Sequence, residues 1–320
     1  MAIPGRVNLW RGMPPAVYPP IMGLFGLSLA WRRAVSVFGL PAGIADLLLG
    51  AVTMGFIVVL VAYAAKFITR PAVLIEDLKV LPGRTGMPAL SMSVMLLAGG
   101  LMPLAPGFAK GLLLAGLALH GVIALLVLYV LSNSPTEGRV VTPAWHLAFV
   151  GFIVSPLAAV PLGMTALAEW VLWCTMLAAA AIYAASAVQL IRRAPPPPLR
   201  PLLAIHLAPV ALFGTAAALL GMTSLALVFA GIAGLVLTAL LVGVRYLAAA
   251  GFSPFWGAFT FPLAAFAGLM LALAGQGALF RVAGGITLFG ATLLIPWIAA
   301  KILQLWIKGV LTVKSNAAIA

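Results

Sequence analysis

Charged side chains are so sparse in this sequence that most of the chain cannot be laid out as a water-soluble fold. No Asp, Glu, Lys or Arg occurs between Arg84 and Lys110, Lys110 and Glu137, Arg139 and Glu169, Arg200 and Arg245, Arg245 and Arg281, or Arg281 and Lys301. A helix needs roughly 20 apolar residues to cross a hydrocarbon core, and these intervals supply them one after another. Of the 320 residues, 64% are hydrophobic and 7% charged, against about 25% charged in globular proteins. Two soluble domains, the default for this length, are therefore excluded. The chain reads as an all-α integral membrane protein, with residues 1–320 as a single transmembrane domain.

Dividing the longer intervals at Gly, Pro and Ser/Thr turns predicts ten spans. They cover residues 16–38, 43–67, 87–107, 110–132, 143–161, 165–191, 201–219, 223–249, 254–274 and 279–307. An even number puts both termini on one side. With that side cytoplasmic, fourteen of the eighteen Lys and Arg residues, Arg6 among them, fall inside. The other four, Arg32, Arg33, Lys110 and Arg281, fall outside, which is the asymmetry by which bilayers orient proteins. The Arg32-Arg33 pair is the awkward part of this pattern. The net charge of +13 comes from basic residues placed singly or in pairs, so no nucleic-acid partner is expected. The longest polar loop, residues 69–86, holds Glu76, Asp77, Lys79 and Arg84 and is expected to be solvated, with a short interfacial helix. Pro195 to Pro198 cannot continue a helix and predict a stiff cytoplasmic connector.

Prolines divide the spans into two kinds. The odd ones contain or begin with them: Pro19 and Pro20; Pro88, Pro103 and Pro106; Pro143, Pro156 and Pro161; Pro201 and Pro209; Pro254 and Pro262. Among the even spans only the tenth has one, Pro296. An interior proline removes a backbone hydrogen bond and kinks a helix, and the freed carbonyls need protein or water rather than lipid. The odd spans should form an inner ring and the even spans an outer one. Pro201 and Pro254 lie 53 residues apart, as do Pro209 and Pro262, so the arrangement reads as a repeat of five helical hairpins about a central pore.

The chemistry is defined first by an absence. Asp46 and Glu169 sit near span ends, while Glu76, Asp77 and Glu137 fall in loops, so no acid is expected at mid-depth. Cation-coupled transporters place carboxylates there; a basic protein without them suits an anion path. His146 and His206 follow Pro143 and Pro201 on two inner spans and could line the pore, become anion-binding when protonated, ligate haem, or simply pack. His120, on an outer span, is expected to pack. The lone Cys174 excludes an intramolecular disulfide, and no Ser/His/Asp or metal-ligand cluster is visible. Neither enzymatic activity nor a cofactor is expected. Glycines such as Gly23, Gly26, Gly99 and Gly100 either bring helices close or leave room for an ion. By the 53-residue interval Phe261 corresponds to Ala208, so one bulky ring stands at a level otherwise lined by small residues. Such a ring either plugs a narrow lumen or fills space between helices.

Trp256 to Phe266, centred on Thr260-Phe261-Pro262, resembles the ninth-helix signature of the tellurite-resistance/dicarboxylate transporter family, which includes bacterial TehA and the plant guard-cell slow anion channels. Met22-Gly23-Leu24-Phe25-Gly26-Leu27-Ser28 resembles that family's first-helix motif, although Leu24 and Phe25 depart from the small residues common there. The likeness extends over the whole chain. It implies a five-hairpin pore in each protomer, a homotrimer, and a phenylalanine that occludes the pore. Phe261 matches that phenylalanine by its place before Pro262, and Gly23 and Gly26 match pore-side glycines.

These readings together predict a channel, or channel-like transporter, for small inorganic or organic anions in a bacterial inner membrane. Phe261 is its expected gate, with Gly23, Gly26, Pro156, Pro209, Pro262, His146 and His206 as pore-lining or kink residues. The other reading is a secondary carrier of oxyanions or C4-dicarboxylates, related to sulfite, malate or tellurite, and the fold alone does not choose between them.

Overall fold

The computed structural model describes residues 9–320, except the side chains of Thr136 and Glu137. Arg6 and the Glu137 side chain thus lie outside the described residues. All regular structure among those described is helical. Eight helices are long and apolar enough to cross a membrane: Pro15–Phe38, Gly43–Thr69, Pro106–Ser132, Thr165–Arg192, Pro197–Leu219, Thr223–Val242, Pro254–Ala272 and Ala278–Ile307. Between them lie Leu81–Leu101, whose apolar run is diluted by Arg84, glycines, serines and prolines, and the shorter apolar stretch His146–Ala159.

Two expected boundaries move. Leu81–Leu101 starts and ends about six residues before the predicted 87–107. The reason is that Pro106 does not belong to this helix; it opens the next one, Pro106–Ser132, at a position whose N–H would have no partner anyway. Arg84 is drawn into the first turn, where its guanidinium donates to the Gly138 carbonyl at 3.1 Å. The fifth segment is not one helix. It runs as a π-helical turn, His146–Val150, a 3-10 turn, Gly151–Val154, and a single α-helical turn, Pro156–Ala159.

Burial follows proline content. In the most apolar stretches of Pro197–Leu219 and Pro254–Ala272, 78% and 72% of residues are buried, and 50% in Pro15–Phe38. The other five long helices bury only 17% to 33%. Their exposed faces carry Ile68, Leu125, Leu177, Leu235 and Ile286. An exposed apolar surface of that extent is unsustainable in water and matches acyl chains.

Packing partners form a closed cycle. Tyr18–Phe38 packs on Leu81–Leu101 to one side and on Thr260–Ala272 to the other. Leu81–Leu101 meets the His146–Ala159 stretch, which meets Leu207–Leu219, which in turn meets Thr260–Ala272. Each of the five more exposed helices packs on the buried segment that precedes it in the chain.

The loop expected to be solvated is instead tied down. It contains the anticipated short helix, Val73–Lys79, but Asp77 on that helix is fully buried. Lys66 Nζ donates to Asp77 Oδ2 at 2.7 Å and to the Met13 carbonyl at 2.9 Å, and neither charged side chain reaches solvent. The Tyr63 hydroxyl and the Ala318 N–H also donate to Asp77, at 3.0 and 2.8 Å. Burial pushes the Asp77 carboxyl above its ordinary range, and the Lys66 ammonium beside it pulls the other way. The Ala320 N–H donates to the Arg11 carbonyl at 3.0 Å, so both ends of the described chain lie together at this end of the molecule.

Candidate functional site

The ninth segment changes helix type in mid-course. Pro254–Phe259 is a 3-10 helix and Thr260–Ala272 an α-helix, with Pro262 as the third α-helical residue. The seventh repeats the device: Pro197–His206 is 3-10, Leu207–Leu219 is α, and Pro209 is its third residue. Pro262 and Pro209 therefore occupy first α-helical turns, where no α-helical N–H bond is lost, whereas Pro201 lies inside the 3-10 stretch. Pro156 likewise opens its α-helical turn. What these segments share is a change of helix type just before each proline. Thr260 caps the change in the ninth segment, its hydroxyl donating to the Gly257 carbonyl at 2.7 Å with the Pro19 carbonyl at 3.2 Å.

Phe261 lies at this junction and is 1% exposed. Its ring separates two cavities. The first, on the side of the chain termini, is small, with a volume of about 30 Å³, and is lined by Pro19 and Met22, Pro82 and Thr85, Leu147, Leu202, Ile205 and Ala208, and Phe255 and Pro262, among others. The second has a volume of about 20 Å³, room for a water-sized occupant, and is lined by Gly26, Ala30 and Arg33, Leu96, Leu157, Leu212 and Thr215, and Ala264 and Gly268, among others. Each cavity takes side chains from all five segments of the cycle. Phe261 is the one residue that lines both.

The two glycines act differently. A Cβ on Gly23 would collide with the Thr260 side chain, so this glycine lets the first and ninth segments touch. A Cβ on Gly26 would come within 2.9 Å of Phe261 Cδ2; this glycine holds open the space the ring occupies and also lines the second cavity. Phe25 points away from both cavities and packs edge-on against Phe56. Ala208, the counterpart of Phe261 in the repeat, shares the first cavity with it.

His146 and His206 are brought together, yet neither lines either of these cavities. His146 Nε2 and His206 Nδ1 are hydrogen-bonded at 3.1 Å, and Tyr183 donates to the His206 carbonyl at 2.6 Å. A direct bond between these nitrogens leaves no space there for a haem iron. His206 faces surface grooves beside Ser186 and Leu203 instead. Pro209 and Pro156 are buried in the wall, whereas Pro262 reaches the first cavity. His120 packs as expected, fully buried, with Nδ1 2.8 Å from Ser91 Oγ and its ring filling the space left by Gly151.

Sequence reasoning missed Arg33. The signal was present in the misplaced Arg32-Arg33 pair, because successive helical residues point about 100° apart and only one of two can face outward. Arg33 is the one charged residue lining the two cavities, and no Asp or Glu lines either. The two cavities are thus mainly apolar, with a single positive charge in the second.

The model of the voltage-dependent anion channel family matches residues 12–303, a stretch that takes in every segment of the cycle. No curated protein matches the chain. The chain thus belongs to the voltage-dependent anion channel family, the tellurite-resistance/dicarboxylate transporter family that its first-helix and ninth-segment motifs resemble.

Proposed function

We propose that this protein conducts small anions across a membrane through a lumen that Phe261 closes. In this reading ten membrane segments form five hairpins, the proline-bearing members line the lumen, and their partners face lipid. The closed cycle of contacts and the contrast in burial support that arrangement. The observation that carries the gate is that Phe261 alone lines both cavities. Anions rather than cations are favoured because no carboxylate lines the passage while Arg33 does. An apolar wall gives poor replacement for water, so weakly hydrated monovalent anions enter at less cost than strongly hydrated ones. Assembly as a homotrimer in a bacterial inner membrane, with both termini cytoplasmic and no cofactor or catalysis, completes the proposal. Arg11, Arg70, Lys79, Lys308 and Lys314 at the end that bears the termini support the orientation.

Purified wild type and Phe261→Ala in planar bilayers test the reading. The variant is expected to carry a steady anion-selective current where the wild type is nearly silent. Equal currents in both proteins would contradict the gate, and saturable flux with counterflow in place of current would identify a carrier.

A further inference from the structure

Arg33 is a cation in an apolar passage with no carboxylate to answer it. Its neighbour Arg32 is satisfied elsewhere, by Asp46 at 2.7 Å and by the Gly100 carbonyl. Arg33 turns to the inside and lines the second cavity, where Nη1 donates to the Gly268 carbonyl at 3.0 Å. None of the ion pairs among the described residues includes it. From Gly26, which touches the Phe261 ring, to Arg33 is seven residues, and so is the interval from Phe261 to Gly268. Two helical turns thus set the guanidinium about 10 Å beyond the ring, away from the chain termini. Leu29, Leu96, Leu157 and Leu212 surround the same space. The other polar side chain there, Thr215, donates its hydroxyl to its own helix at Ala211.

Arg33 is half-buried, and a charge held among such apolar neighbours is costly unless something opposite in sign joins it. Arginine does not escape by losing its proton, and one carbonyl occupies one of its five N–H donors. We infer that Arg33 is an anion-binding station: a small monovalent anion sits in the second cavity against the remaining guanidinium N–H groups. The station rests on reading the passage as an anion path. It gives that path an attractive step immediately beyond the ring, where an anion that has shed water meets its first strong donors.

The test is thermal melting of the full-length protein in detergent over a series of sodium nitrate concentrations, with sodium gluconate holding ionic strength constant. Wild type is expected to gain stability with nitrate and to saturate, as ligand binding to the native state requires. Arg33→Gln is expected to need about tenfold more nitrate for the same gain, through loss of a charge-assisted contact. Arg33→Lys should keep most of the response. Wild type indifferent to nitrate, or Arg33→Gln with an unaltered response, overturns the station. Should Arg33→Gln fail to fold, wild-type crystals grown in bromide decide: an anomalous peak within hydrogen-bonding distance of the guanidinium supports the station, and its absence contradicts it. Nitrate binding through Arg33 in a protein whose Phe261→Ala variant stays closed would sink the gate and leave the station standing, so the two readings fail separately.

Discussion

At the scale of single residues, stability rests on one close helix contact and one buried ion pair. Gly23 sets how closely the first and ninth segments approach, since any side chain there meets Thr260. Gly23→Ala should cost about 1–3 kcal/mol, the range for overpacking a close contact, read as a lowered melting midpoint in detergent. The buried Lys66–Asp77 pair should be more sensitive. Lys66→Met leaves the Asp77 carboxylate buried with two weaker donors, a loss of about 3–5 kcal/mol, whereas the paired change Lys66→Met with Asp77→Leu should recover much of it. A double variant no more stable than the single one would show that the ion pair itself, and not the stranded charge, matters. Gly23 and Gly26 stand out in the sequence as small residues on an apolar helix, but which one brings helices close and which makes room for a ring depends on what faces each. Asp77 could not be recognised from the sequence, since its partner Lys66 belongs to the preceding helix and a Glu-Asp-x-Lys stretch has the composition of a solvated loop. Arg33 was visible only as an anomaly of charge placement.

At the scale of elements, proline position mattered more than proline count. The odd spans were separable from the even ones by their prolines, and that separation coincides with the difference in burial. What the sequence pattern could not supply was the change of helix type, because a 3-10 segment and an α-helical one have the same apolar composition. It also assigned Pro106 to the helix it follows rather than the one it starts. Since Pro262 and Pro209 occupy first turns, Pro262→Ala or Pro209→Ala should lower stability by no more than about 1 kcal/mol, chiefly by loosening the unfolded chain. Pro88 offers the contrast, lying inside the continuous helix Leu81–Leu101. A loss of 3 kcal/mol or so for Pro262→Ala, the scale of interior proline effects, would show that the junction itself depends on the ring of that proline.

At the scale of the whole molecule, the proposal is that charge placement orients the chain and that the cycle of five segments encloses a passage. Orientation is tested with single cysteines in a Cys174→Ser background. Lys314→Cys should react with a membrane-impermeant maleimide in inverted vesicles and not in intact spheroplasts, and Arg281→Cys should show the reverse. Labelling of both from one side would refute the even-span topology. The central claim, that one ring closes an anion passage, is tested most directly by a size series at position 261. Bilayer conductance is measured for Phe261→Ala, Phe261→Val, Phe261→Leu and wild type under identical anion gradients. Conductance falling in step with side-chain size, with anion selectivity kept throughout, is the predicted result; conductance indifferent to the residue at 261 would contradict the account.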